Sequence, residues 1–308
     1  MRIGITLGDP AGIGPEIILK ALPKIKDRQN ILVFGNRSVL KKTARDFRLI
    51  VHYKKIEKNI VDCVDYVKFQ YGKPTDKTAR IAMQSIDTAL QHGCDILVTA
   101  PVVKSVIKCA IPDFIGHTEY LAHFFRVKDF GMLGLWKDKR ILLLTTHVPL
   151  RHIFKMITPK AITKKIVLLD WGLKKYFGIR APSIGVCSLN PHAFEFSLGE
   201  DERIKEGIDL ARTRGLNALG PFPADTLFSH IFDGYLTIYH DQAMIYLKSK
   251  KNGLNFTLGL PIVRLSPLYG AALDIAGKNV AEVSGFITAI KEGIKIFKQA
   301  RNYEAKTT

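Results

Sequence analysis

Residues 140–150 read RILLLTTHVPL, an apolar run that ends in two threonines and His147. Two further histidines also follow apolar runs. His192 follows the apolar stretch of IGVCSLNPHAFE (184–195), and His240 follows that of YLTIYHDQ (235–242). A buried strand with a polar residue at its end presents that side chain at the carboxyl edge of a sheet, where open α/β folds place their ligands. The three stretches therefore predict buried strands that each carry an imidazole at a ligand-binding edge.

Two interpretations of these histidines are open from the residues alone. In one, each histidine is simply a lone polar residue at a strand end. In the other, the three imidazoles converge on one cation and leave coordination positions for water or substrate. Because three of the nine histidines share this placement, the pattern favours the metal site.

Outward from these stretches, short apolar runs alternate with amphipathic segments along the chain. The runs read as strands are MRIGITLG, NILVFG, CDILVTAP, RILLLTTH, PSIGVCSLN and YLTIYHD. The segments read as helices are 15–22, 38–47, 77–92, 118–125, 159–176, 201–214 and 283–301. Such alternation predicts an α/β fold with a largely parallel sheet, arranged as one two-lobed unit with a cleft.

The composition is ordinary for a soluble globular protein. The chain has 308 residues, 47% of them hydrophobic, and no apolar run reaches the roughly 18 residues that a membrane span needs. The first residues lack the pattern of a signal peptide. Four cysteines without a CxxC pair are typical of reduced thiols, so we expect a cytoplasmic protein.

The formal net charge of +18 does not by itself indicate a nucleic-acid partner. The lysines are distributed along the whole chain, and no arm or helix concentrates them with interleaved aromatic residues. We therefore expect neither nucleic acid nor a membrane as a partner, and interpret the charge as solvated helix faces.

Several further segments carry residues suited to chemistry, each with a plainer interpretation beside it. GDPAGIGPE (8–16) either cradles an anion on backbone N–H groups or is a tight turn that starts a helix. Lys104 in TAPVVK either meets an anion or is a surface lysine. In GHTEY, His117 could contact a substrate, while Thr118 could contact one or cap a helix.

Two later segments complete the set of candidate residues. Asp225 in PFPADTLF is either a metal-associated acid or a helix cap. Residues 240–278 bring together Lys248, Asn255 and Arg264, which are well suited to a phosphate or a carboxylate. The small-residue stretch YGAALDIAGK that follows would let a flat ligand approach the backbone.

Together these residues resemble the 4-hydroxythreonine-4-phosphate dehydrogenase family. Nine motifs occur in the family's order, namely GDPAGIGPE, TAP..K, GHTE, THVPL, NPHA.E, PADTLF, HDQ, TLGLP..R and ALDIAGK. The resemblance covers about residues 3–295. It implies a two-lobed α/β fold like that of isocitrate and isopropylmalate dehydrogenases, with a mostly parallel sheet and a central cleft. We expect lobe 1 to hold residues 1–120 and 245–308, and lobe 2 to hold residues 121–244.

The resemblance also implies an activity. Family members oxidise 4-phosphooxy-L-threonine with NAD and decarboxylate the product to 3-amino-2-oxopropyl phosphate, on the route to pyridoxal 5'-phosphate. It implies a homodimer whose active site lies at the subunit interface, with metal ligands from both chains. The expected cofactors are NAD, with NADP as the alternative, and one divalent ion per site, which is zinc, magnesium, cobalt or manganese.

Carried over residue by residue, the resemblance assigns a role to each candidate. The metal-binding histidines fall on His147, His192 and His240, with Asp225 as an acid near the metal. The positions that contact the substrate fall on His117, Thr118, Lys248, Asn255 and Arg264. The candidates for the proton acceptor are Asp225, His117 and Lys104. The positions expected at the cofactor are Tyr269, Gly270, Asp274 and Gly277.

The chain departs from the family pattern mainly where the cofactor is expected. Phe194 replaces the glycine of NPHAGE, Ala243 that of HDQG, and Tyr269-Gly270-Ala271 stands where the family has HGTA. The interval from Lys248 to Asn255 is also shorter than in the family. Two rival hypotheses follow: a related dehydrogenase for a sugar-acid phosphate or a cyclic diol carboxylate, and a binding protein that has lost redox activity.

Overall fold

The structure is a computed structural model that describes residues 1–26, 28–63 and 65–307. Its strands are β1 (Ile3–Thr6), β2 (Ile31–Gly35), β3 (Ile60–Asp62), β4 (Ile96–Thr99), β5 (Gly131–Trp136), β6 (Lys139–Leu143), β7 (Ser183–Cys187), β8 (Asn217–Phe222), β9 (Gly234–Thr237), β10 (Leu254–Leu258) and β11 (Val263–Pro267). Its α-helices are α1 (Gly14–Ala21), α2 (Arg37–Asp46), α3 (Ile50–Ile56), α4 (Asp76–Gln91), α5 (Lys104–Ala110), α6 (His117–Phe124), α7 (Leu150–Met156), α8 (Pro159–Phe177), α9 (Glu200–Arg212), α10 (Ala224–Leu227), α11 (His240–Lys248) and α12 (Ser284–Thr307).

The α/β class with mostly parallel strands is confirmed, and every strand and helix predicted from the sequence is present. The sequence did not predict the strands β3, β5, β8, β10 and β11 or the helices α3, α5, α7, α10 and α11. These helices have nine residues or fewer, and β3 has three, whereas β5 and β8 have six residues each. A short element gives too few turns or alternations for its periodicity to stand out.

The chain divides into two compact units. The first contains Met1–Tyr120 and Pro261–Lys295, and the second contains Leu121–Leu260 and Ile296–Thr308. The units change at residues 120/121, 260/261 and 295/296, whereas the sequence led us to expect changes at 120/121 and 244/245, with residues 245–308 all in lobe 1. Residues 245–260 belong to the second unit because β10 pairs antiparallel with β5 of the same unit.

The first unit has a parallel sheet in the order β3-β2-β1-β4-β11. Its central strand β1, with the sequence IGIT, carries no charged residue and is fully buried, as is typical of a strand covered on both faces. Ile3 pairs with Ile31 on one side and with Ile96 on the other. The carboxyl ends of β1, β2 and β4 therefore lie along one edge of the sheet.

The second unit has the order β10-β5-β6-β9-β7-β8, and here the sheet is mixed. Strand β5 runs antiparallel to both β10 and β6, whereas β6, β9, β7 and β8 are parallel to one another. Because β6, β9 and β7 are parallel, the segments that carry His147, His240 and His192 all leave the sheet at the same edge.

Helix α8 shows how the sequence forms the second unit. Thr158 caps it by accepting a hydrogen bond from the Ala161 amide, Pro159 occupies its first position, and Gly178 ends it at φ 72°. Its buried face repeats at helical spacing through Ile162, Thr163, Ile166, Leu169, Leu173 and Tyr176.

Candidate functional site

At the carboxyl edge of the second unit, His147 and His240 face each other. Their ring centroids are 6.0 Å apart, and the rings are tilted by 41°. Two imidazoles that bind one cation at the tetrahedral angle place their centroids about 5.2 Å apart, given metal–nitrogen distances of about 2.1 Å. The pair therefore suits a shared divalent cation by its chemistry, and its spacing is slightly wider than that geometry requires.

His240 is held in place by the rest of the HDQ motif. Its Nδ1 lies 2.7 Å from Asp241 Oδ1, which leaves Nε2 for a ligand. Gln242 accepts hydrogen bonds from the amides of Ile238 and Tyr239 and donates one to the Ser188 carbonyl at 2.8 Å. The glutamine thus fastens the start of α11 to the segment after β7, and His240 is the first residue of that helix.

His192 lies on the same edge but is presented differently. It has a left-handed backbone, φ 56°, and 69% of its side chain is exposed. Its Nδ1 is 3.7 Å from Glu195 Oε2, and its ring is 5.8 Å from that of Phe196. Within the described part of a single chain, no three histidine, cysteine, aspartate or glutamate side chains are grouped so as to hold a metal.

Asp225 stands exposed in the first turn of α10, just after β8. Burial chiefly, and then the charges of Asp201 and Asp225, raise the pKa of the thiol of Cys187, which is the last residue of β7. The acid therefore lies near the carboxyl edge from which the histidines project.

The first unit contains a buried cationic group, which we call the Arg264 cluster, formed by Thr99, His117, Thr118 and Arg264. Arg264 is only 1% exposed, and its Nη2 donates a 2.6 Å hydrogen bond to Thr99 Oγ1. Burial lowers the pKa of this guanidinium to about 9, against the opposing charge of Glu119. Thr118 is also buried.

His117, the first residue of α6, has a buried Nε2 atom without a hydrogen-bond partner. Burial first, and then the charges of Arg264 and Lys104, hold the pKa of this imidazole well below its usual value. His117 is therefore neutral at physiological pH, and its buried Nε2 atom is available for a hydrogen bond with a ligand.

Lys104 and Glu119 border the Arg264 cluster. A side-chain carbon placed on Gly116 would lie 3.2 Å from Lys104 Nζ and 3.1 Å from Glu119 Oε2, so the glycine leaves room for both groups. Lys104 itself is exposed, at the start of α5. No pattern in the sequence singles out Glu119, because its proximity to Arg264 depends on the packing of α6.

Lys248 and Asn255 both belong to the second unit. Lys248 is exposed at the end of α11, and Asn255 is a half-buried residue of β10. The Oδ1 atom of Asn255 is buried without a hydrogen-bond partner, which marks it as another polar atom open to a ligand.

The glycine loop at residues 8–14 is a closed turn. Its amides already have acceptors: Asp9 N donates to Pro101 O, Ala11 N to Asp9 Oδ1, Gly12 N to Asp9 O, and Ile13 N to Ala271 O. With these donors occupied, the turn interpretation describes the loop better than an anion cradle does. Gly12 is needed because a side-chain carbon there would lie 2.9 Å from the Ala271 carbonyl oxygen.

The four residues expected at the cofactor lie in one segment of the first unit. Gly270 and Asp274 are exposed. The Tyr269 hydroxyl is buried close to the Phe286 backbone amide, and the ring edge lies 3.0 Å from a side-chain carbon built on Gly285. Gly277 has φ 88° and packs against Tyr71, so packing alone accounts for this glycine.

Comparison with known proteins agrees with these features. Residues 27–292 match the family model of the pyridoxal phosphate biosynthetic protein PdxA. The 4-hydroxythreonine-4-phosphate dehydrogenase of Pseudoalteromonas translucida is 35% identical over 96% of this chain and 97% of its own. A protein of Oceanobacillus iheyensis, provisionally named a D-threonate 4-phosphate dehydrogenase, is 33% identical over 96% of this chain and 97% of its own.

A solved structure is similar over the same span. The 4-hydroxythreonine-4-phosphate dehydrogenase of Klebsiella pneumoniae superposes with a TM-score of 0.80 and 27% identity, covering 96% of this chain and 99% of that one. Among the described residues, no helix is both long and apolar enough to cross a membrane.

Proposed function

The chain belongs to the family of the pyridoxal phosphate biosynthetic protein PdxA, and from that premise we propose that it oxidises 4-phosphooxy-L-threonine with NAD. Oxidation at the hydroxyl carbon is followed by loss of carbon dioxide, which yields 3-amino-2-oxopropyl phosphate for pyridoxal 5'-phosphate synthesis. The observation that carries the proposal is the Arg264 cluster, because a buried guanidinium beside an unpartnered imidazole nitrogen suits the anionic end of a small substrate.

In this proposal Arg264 binds the substrate phosphate. A guanidinium carries five N–H donors in a planar fork that matches phosphate oxygens, and Thr99 engages one arm of the fork. His117 and Thr118 contact the same substrate, and Lys248 and Asn255 are the remaining proposed contacts. Positioning of this kind contributes rate because the reacting carbon is held in a productive orientation.

The neutral state of His117 changes its proposed role. A general base works best with a pKa near the operating pH, whereas burial and two cations push the pKa of His117 well below its usual value. We therefore assign His117 to hydrogen bonding with the substrate. Asp225 and Lys104 remain the candidates for the proton acceptor, and both are exposed and able to exchange protons with water.

For the metal we propose His147 and His240 as ligands from one chain, with His192 as the third ligand and Asp225 close by. A divalent ion held there would supply Lewis acidity toward the substrate hydroxyl. Histidine and carboxylate together suit zinc, cobalt, manganese or magnesium in different degrees. Since the three histidines do not form a group within one chain, a homodimer that shares its sites is part of the proposal.

The nicotinamide cofactor would accept the hydride. We propose that it lies along Tyr269, Gly270, Asp274 and Gly277, with NAD preferred over NADP. The tyrosine hydroxyl is enclosed, so this residue would offer the cofactor part of its ring rather than a hydrogen bond. All four cysteines are unpaired, which fits the cytoplasm proposed as its compartment.

The direct test is NADH formation from 4-phosphooxy-L-threonine, with and without a chelator. We expect turnover that the chelator abolishes and that zinc, manganese, cobalt or magnesium restores. Replacing Arg264 with methionine should lower kcat/KM by about tenfold to a hundredfold, the value of a charged hydrogen bond. The exposed Arg126 provides the control, since Arg126→Met should leave kcat/KM unchanged.

A second candidate is D-threonate 4-phosphate, the substrate in the name of the Oceanobacillus relative. Both substrates carry a 4-phosphate, so the Arg264 cluster serves either one. The ratio of the two kcat/KM values decides between them. Failure of both substrates, together with no NAD binding at millimolar concentration by calorimetry, would favour a binding protein without redox activity.

A further inference from the structure

The second unit contains a cavity that the proposed dehydrogenase chemistry does not use. It has a volume of about 240 Å³ and lies among the loop before β5, the end of β6, helix α7 and the first half of α8. Its apolar walls are Phe130, Leu144, Met156, Ala161 and Leu168. Since a cavity of about 150 Å³ accommodates benzene, this one has room for a substituted aromatic ring.

One amine is set into the wall of this cavity. Lys165, on α8, is half-buried, and its Nζ donates a 2.6 Å hydrogen bond to the Phe130 carbonyl. Burial, together with the charge of the nearby Lys164, lowers the pKa of this amine to about 8 against the opposing charge of Asp129. Around neutral pH a usable fraction is therefore unprotonated, and a lysine desolvated in this way is a nucleophile toward carbonyl carbon.

The remaining charged residues of the cavity lie at its rim. Lys128 and Lys164 are exposed, and Lys164 forms an ion pair with Asp129. Two lysines and one aspartate at the rim give the opening a net positive charge, which favours a ligand with an anionic group.

We propose that this cavity binds a small aldehyde carrying an anionic group, and that Lys165 forms an imine with it. The Nζ lone pair attacks the aldehyde carbon and a carbon–nitrogen double bond replaces the carbon–oxygen bond. Both amine hydrogens leave with the aldehyde oxygen as one water molecule, and nothing is oxidised or reduced. Protonation of the imine nitrogen then restores an N–H donor to the Phe130 carbonyl.

Pyridoxal 5'-phosphate is the probe, because it is an aldehyde with a phosphate and an aromatic ring. Labelling by this probe does not depend on the proposed function, because it requires no dehydrogenase turnover. The intact chain is incubated with the probe at pH 8, reduced with borohydride and mapped by peptide mass spectrometry. We expect one dominant label on Lys165, with labelling that rises as the pH passes through about 8 and the amine loses its proton.

The variants are chosen to separate this site from ordinary surface lysines. Lys165→Arg should remove at least nine-tenths of the label, while Lys160→Arg, at an exposed lysine of the same helix, should keep it. Met156→Trp fills the cavity and leaves the amine in place, so it should also block labelling if Lys165→Arg fails to fold. Labels spread over exposed lysines and unchanged by Lys165→Arg would overturn the proposal. Equal labelling by pyridoxal without its phosphate would overturn the anionic requirement.

Discussion

At the scale of single residues, the contact that positions His240 can be tested through Asp241. The Asp241 carboxylate lies 2.7 Å from His240 Nδ1, so it fixes the ring and directs Nε2 outward. Loss of such a partner typically costs about tenfold to a hundredfold in metal affinity. We expect Asp241→Asn to weaken zinc binding by that amount, measured by calorimetry on the chelator-treated protein.

The control for Asp241 must remove the same charge elsewhere. Glu206 is an exposed carboxylate on α9, and Glu206→Gln changes the net charge equally. Zinc affinity should be unaffected in that variant. If both variants bind zinc as tightly as the unaltered chain, His240 is not a ligand oriented by Asp241.

At the scale of elements, a side-chain hydrogen bond joins helix α6 to helix α4. The Tyr120 hydroxyl donates a 2.5 Å hydrogen bond to Asp87 Oδ1, and burial together with Asp87 raises the pKa of that phenol. Because α6 begins at His117, this bond also holds the proposed substrate contacts. Tyr120→Phe should lower the free energy of unfolding by about 1 to 3 kcal/mol and raise KM more than it changes kcat.

Urea titration measures the first effect, and steady-state kinetics measures the second. Tyr66→Phe, at a tyrosine that is 45% exposed, removes a hydroxyl from the same kind of side chain and should change neither quantity. An unaltered KM in Tyr120→Phe would mean that α6 keeps its place without the Asp87 bond.

At the scale of the whole molecule, the placement of the histidines predicts a site shared by two chains. His147 and His240 are close within one chain, while no third ligand completes the group among the described residues. If His192 comes from the partner, chains carrying His192→Ala and His240→Ala should complement each other when mixed. Random pairing in a two-fold dimer would restore about one quarter of the sites.

Each variant alone should be inactive and should bind no metal, so the recovered activity measures mixed dimers directly. Mixing followed by unfolding and refolding ensures exchange of subunits. A dimer by light scattering with no recovery after mixing would show that the three ligands belong to one chain.

Much of the fold follows from local patterns in the sequence. The apolar runs predicted six strands, the 3.6-residue rhythm predicted seven helices, and the observed elements coincide with all of them within a few residues. The common edge of the three histidine segments was predictable too, because parallel strands bring their carboxyl ends together, although the histidines lie three to five residues beyond the strands. The antiparallel β5 was not, since its pairing with β10 joins segments more than a hundred residues apart.

The chain alone therefore determined its α/β class, its elements and the residue types gathered at the sheet edges, because these depend on periodicity and on the chemistry of neighbouring residues. Tertiary structure decided that His147 lies beside His240, that the amides of residues 9 and 11–13 already have acceptors, that His117 is neutral and that Lys165 borders a cavity. Those properties arise from packing and burial between distant segments, which no local pattern encodes.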